Sequence, residues 1–124
     1  MSLRTPLARV RHLGSAKDGT HHWWMQRVTA LALLPLTLWF VISVIGLAGA
    51  DHAAVAAWAG HPLSATLLVL LLVATFYHAV LGLQVVIEDY VHDRVARTAL
   101  LLLVQGLGIL LATLGILSVL ALLF

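Results

Sequence analysis

Residues 62–87 read PLSATLLVLLLVATFYHAVLGLQVVI, a run without Asp, Glu, Lys or Arg that closes on Glu88-Asp89-Tyr90. A helix crosses the hydrocarbon core of a bilayer in about 20 residues, at about 1.5 Å of rise each. This stretch is long enough to span with some tilt. Two more runs share its character, Val28 to Ala50 and Thr98 to Phe124, and neither holds a charged residue. Charged residues make up only 10% of the chain and hydrophobic ones 62%, whereas charge runs near a quarter in soluble domains. A soluble three-helix bundle would need a polar face on each helix, and these segments have almost none. The expected fold is therefore all-α and integral to a membrane. Its three transmembrane helices should cover about residues 23–50, 62–90 and 97–124, as one domain over 23–124, behind a polar N-terminal arm at 1–22.

The first run is too long for the apolar part of a secretory signal and lacks a small-residue cleavage site before a soluble domain, so it reads as a retained helix. The chain has no cysteine. It cannot ligate an iron–sulfur cluster or attach a c-type haem through thioethers. Any redox centre it touches must be held by histidine or belong to a partner.

The charges set a topology. Arg4, Arg9, Arg11, Lys17 and Arg27 precede or open the first helix, and Arg94 and Arg97 fall between the second and third. The connection from Asp51 to His61 has no Lys or Arg. The positive-inside rule then places the N-terminus and the 91–97 turn in the cytoplasm, or mitochondrial matrix, and the 51–61 loop and C-terminus on the opposite side; the expected location is a bacterial inner membrane, with the C-terminus periplasmic. Trp23 and Trp24 at one end and Trp58 at the other suit the interfacial belts. Pro35 removes a backbone hydrogen bond inside the first helix and is expected to kink it. Gly108 and Ala112, with Gly115 close behind, permit close backbone approach, either to this chain's own helices or to another subunit.

His78 is the deep ionisable residue of the second run, and such residues are costly in lipid and usually functional. At about 100° per residue, His78, Gly82, Val85 and Asp89 share one stripe. The glycine leaves room beside the histidine for a flat macrocycle. Three readings of His78 stand: a polar side chain bonded to another helix, a proton relay, or an axial ligand of a b-type haem, for which imidazole is the usual choice. A bis-histidine haem would need its second ligand from another subunit. Tyr90, about 18 Å along the axis from His78, is either an interfacial anchor or a phenol that donates to a quinone carbonyl. Arg27, with His21 and His22 just before it, is either a lipid-phosphate contact or a fork for a haem propionate. His12, His52, His61 and His92 lie in loops or termini and receive no role.

Two stretches resemble the small, D-type membrane anchor subunit of succinate dehydrogenase, respiratory complex II, of the cytochrome b556 family. One is LGSAKDGTHHWWMQRVTA, residues 13–30, a glycine-containing arm with a histidine ahead of an arginine. The other is His78 to Tyr90, similar to the family's His-x3-Gly-x6-Asp-Tyr pattern. With three helices, the resemblance covers nearly the whole chain.

The resemblance implies that His78 ligates the iron of haem b, shared with a larger C-type cytochrome b anchor subunit, with Gly82 clearing the space. It implies that Tyr90 hydrogen-bonds ubiquinone with Asp89 in support, and that Arg27 and His21 contact haem propionates. The implied partners are that second anchor, an iron–sulfur subunit, a flavoprotein subunit and membrane lipid, with no nucleic acid. Catalysis would belong to the assembled complex and not to this chain alone. Two other readings are a fumarate reductase anchor and a small structural membrane protein without a cofactor.

Overall fold

The computed structural model describes Pro6 and residues 18–124. Arg4, Arg9, Arg11, His12 and Lys17, together with residues 13–17 of the first resembling stretch, lie outside the described residues. The chain forms four helices: α1 (Asp18–Gly46), α2 (His52–Ala59), α3 (Pro62–Tyr90) and α4 (Arg94–Leu123). Among the described residues there is no strand. Helices α1, α3 and α4 are each long and apolar enough to cross a membrane. Their 29 or 30 residues correspond to about 44 Å of helix, against a hydrocarbon core of about 30 Å. The spans must tilt, or their ends must stand in the headgroup layers.

The second run is a helix over 62–90, as the sequence reading expects, and its ends are chemically marked. Pro62 takes the first helical position, where its missing N–H costs nothing, and His61 Nδ1 accepts from the Leu63 amide at 3.2 Å. Asp93 caps α4 by accepting from Ala96 N at 2.8 Å, so that helix starts at Arg94 and not at 97. The first helix departs more. It begins at Asp18, five residues before the expected start, and ends at Gly46 instead of 50. The chain leaves it through a turn in which Gly49 adopts φ 81°, a backbone conformation open to glycine. Helical structure continues through Pro35 to that end.

The loop from 51 to 61 is also more ordered than expected. Asp51 caps the short α2 through Ala54 N at 2.9 Å, and Trp58 on α2 stacks on Trp39 with ring centroids 5.7 Å apart. Ala59, Ala65, Leu68 and Val119 make a small buried core beside that aromatic pair. Gly60 passes so near α4 that an added Cβ would collide with the carbonyl oxygen of Leu122.

Helix α3 is central, with α1 packed on one side and α4 on the other; α1 and α4 do not pack on each other. At the α3–α4 contact, Gly108 receives Val80 and Gly115 receives Leu72. The small-residue stripe therefore serves packing within this chain. Three spans in a row leave both faces of α3 open, and large side chains such as Leu34, Leu38, Ile42 and Ile45 are exposed along α1. In a membrane, such a surface faces lipid or another transmembrane subunit.

Candidate functional site

Helices α1 and α3 run antiparallel, and their polar residues meet near one level. Thr29, only 6% exposed, places its hydroxyl oxygen 3.1 Å from Nδ1 of His78. His78 itself is half-buried. Among the described residues its other nitrogen, Nε2, has no hydrogen-bond partner. One turn along α3, a Cβ added to Gly82 would meet a single atom, Nε2 of Gln26, at 3.9 Å. The amide oxygen of Gln26 is buried with no hydrogen-bond partner among the described residues. Among the described residues, then, Nε2 of His78 is without a partner, and the α3 surface one turn on is not filled at Gly82.

These features fit a haem b: an imidazole held through Nδ1, a glycine one turn along the same face, and membrane depth. Among the described residues, His78 is the one histidine so placed. The sequence signal for Thr29 was available, since it is a hydroxyl one residue inside the first apolar run. Nothing in the sequence alone said that it would face His78.

The paired histidines before Arg27 separate. His22 Nε2 donates to the Leu81 backbone carbonyl at 3.2 Å, pinning the first turns of α1 against α3. This contact accounts for the early start of α1. His21 is exposed and lines a groove of about 490 Å³ between the three spans, together with Tyr77, Gln84 and Gln105. Six residues separate His21 from Arg27, which puts them about 120° apart around α1. The structure does not gather them on one face.

Arg27 does not open the first helix; it lies nine residues inside it. Residues 18–26 contain no proline to stop the helix, and the Trp23 and Trp24 rings they carry are exposed. The Arg27 guanidinium sits 5.1 Å from the ring centroid of Trp23, one turn back, in a cation–π contact. It projects about 160° around α1 from Thr29, so it is not brought to His78 within this chain.

Tyr90 is the last residue of α3 and is 79% exposed. Asp89 is exposed beside it and falls within about 20° of the His78 stripe, whereas Glu88 lies about 80° off on the other side. Tyr90 is about 120° around from His78. Asp89 and Tyr90 thus flank one side of the helix end, and Glu88 turns toward the His21 groove.

The sequence of this chain matches the model of the succinate dehydrogenase/fumarate reductase transmembrane subunit family over residues 1–116. The chain belongs to that family. It is 34% identical over 107 residues to the succinate dehydrogenase hydrophobic membrane anchor subunit of Rickettsia bellii, covering 86% of each chain. The corresponding subunit of Paracoccus denitrificans is 32% identical over 97 residues, covering 78% of this chain and 75% of the relative. The succinate dehydrogenase membrane anchor subunit of Reclinomonas americana is 27% identical over 104 residues, covering 82% and 87%. Three membrane-spanning helices and anchor-subunit relatives together make this chain a membrane anchor of the succinate dehydrogenase type.

Proposed function

We propose that this chain anchors a succinate-oxidising complex in the bacterial inner membrane, contributes one axial ligand to a haem b, and forms part of a ubiquinone-reducing pocket. The observation that carries the reading is the state of His78. Its Nδ1 is tied to Thr29 and its Nε2 is free, beside a glycine that leaves space for a ring. A haem b held there would supply a one-electron centre inside the membrane. Its second axial ligand would come from a C-type cytochrome b anchor subunit covering the open side of α3. Arg27, released from Trp23, could pair a propionate only along the outer flank of α1. His21 could reach one only on the groove side.

Tyr90 and Asp89 form the polar end of the same helix. The phenol donates a hydrogen bond to a quinone carbonyl oxygen, where negative charge develops during reduction, and Asp89 orients the phenol or nearby water. Succinate oxidation releases two electrons and two protons, and ubiquinone takes up both. The charge asymmetry supports placing Tyr90, Arg94 and Arg97 at the cytoplasmic side, with the C-terminus in the periplasm. Flavoprotein and iron–sulfur subunits would dock there, within reach of the quinone.

The relatives' names favour succinate oxidation over fumarate reduction as the working direction. Purification of the tagged chain in mild detergent tests the proposal. The expected result is co-purification of a flavoprotein and an iron–sulfur protein, a Soret band, and succinate-dependent ubiquinone reduction. A pure chain without haem or partners would support the structural-protein alternative.

A further inference from the structure

We infer that Thr29 is a positioning residue for His78: its hydroxyl fixes the imidazole tautomer that exposes Nε2 and strengthens that nitrogen as a donor to iron. The inference rests on the proposed haem ligation. Four other hydroxyls in the spans and their ends establish the local habit. Thr66, Thr98, Thr113 and Ser118 each donate to the carbonyl four residues back, at 2.7–2.9 Å. Thr29 does the same, with Met25 O at 2.7 Å and Gln26 O more distant at 3.2 Å.

A hydroxyl has one proton and two lone pairs. With its proton directed at the Met25 carbonyl, Thr29 can meet His78 only as an acceptor. Nδ1 of His78 must then carry the hydrogen and donate it, across 3.1 Å. In a neutral imidazole this leaves Nε2 unprotonated. The relay is therefore Nδ1–H to Thr29 Oγ1, and Thr29 O–H to the backbone of α1. Metal-bound histidines commonly donate their second ring N–H to such an acceptor, which orients the ring and raises its basicity. Thr29 is 6% exposed, so water does not replace it readily. The backbone of α1 thus sets the chemistry of a residue on α3.

Thr29→Val keeps the shape and removes the acceptor; Thr29→Ser keeps the hydroxyl. In the purified whole complex, loss of the acceptor weakens donation to ferric iron. The expected result for the valine variant is a rise in haem potential, with about a tenfold change in the oxidised-to-reduced ratio at fixed potential, equal to about 59 mV for one electron. Serine should restore the original potential. Loss of haem in the valine variant with retention in the serine variant counts the same way. An unchanged potential in the valine variant, or an equal change in both, overturns the inference. A pulsed electron paramagnetic measurement on the unmutated complex, with 15N-labelled histidine, serves if the valine variant does not assemble. A remote N–H of the His78 ring that exchanges slowly with deuterated water supports the relay to the buried Thr29 hydroxyl, and one that exchanges at once, or is absent, contradicts it. Failure of haem ligation itself is separable, because the haem spectrum would then survive His78→Ala.

Discussion

Thr29 and His78 lie 49 residues apart in the chain and meet at 3.1 Å between a buried hydroxyl and an imidazole nitrogen. The contact joins α1 to α3 at a level where polar side chains gather: His22 and Gln26 are within two turns of it, with Gly82 facing Gln26. It gives the deep histidine a fixed back and a free front.

Replacing Tyr90 by phenylalanine removes the phenol and little else, because the side chain is 79% exposed and packs against almost nothing. Succinate-driven ubiquinone reduction should fall roughly two- to tenfold, the range that corresponds to one lost hydrogen bond. Succinate oxidation with an artificial dye should persist in the same preparation. Equal retention of both activities would remove Tyr90 from the quinone pocket.

The glycines of the last span and its neighbour make a graded stability series. A Cβ at Gly108 would lie 2.5 Å from Val80 Cγ2, and one at Gly60 would meet the Leu122 backbone. Gly108→Ala and Gly60→Ala should each destabilise the complex by roughly 1–3 kcal/mol, as overpacked sites do. Gly106 has no neighbour within 4 Å, so Gly106→Ala should be neutral or stabilising by up to about 1 kcal/mol. Thermal inactivation of the purified complexes reads the order. Three equal midpoints would contradict the packing described for α3 and α4.

Orientation can be measured directly, since the chain contains no cysteine. A cysteine at Ala53, in α2, should react with an impermeant maleimide in intact spheroplasts. One at His92, beside Arg94, should react only after the membrane is opened. The reverse pattern would invert the topology and move Tyr90 away from the cytoplasmic side.

Much of the fold was legible because lipid imposes a simple demand: an uncharged run of sufficient length must become a helix that satisfies its own backbone. Residues 62–90 met that demand with a proline start and a charged end, and both ends fell where expected. The start of α1 was not legible. The polar segment from Asp18 to His22 reads as part of the arm until His22 finds the Leu81 carbonyl, a contact between residues 59 apart. The short α2 was hidden for the same reason, because its order comes from Trp58 stacking on Trp39.

The site was legible in part. His78, Gly82, Asp89 and Tyr90 stand on one helix, so spacing alone related them. Arg27 and His21 were grouped by closeness in sequence, and helical geometry separates them by about 120°. Thr29 and Gln26 lie inside the first resembling stretch but received no role there, and became visible only once α1 was laid against α3.

The reading depends most on His78 as a haem ligand, and the optical spectrum of the purified complex carrying His78→Ala tests it. The expected result is loss or marked change of the low-spin haem b bands, with the flavoprotein and iron–sulfur subunits still attached. An unchanged low-spin spectrum in that variant would show that the iron is held elsewhere, and the assignment of this histidine would fall.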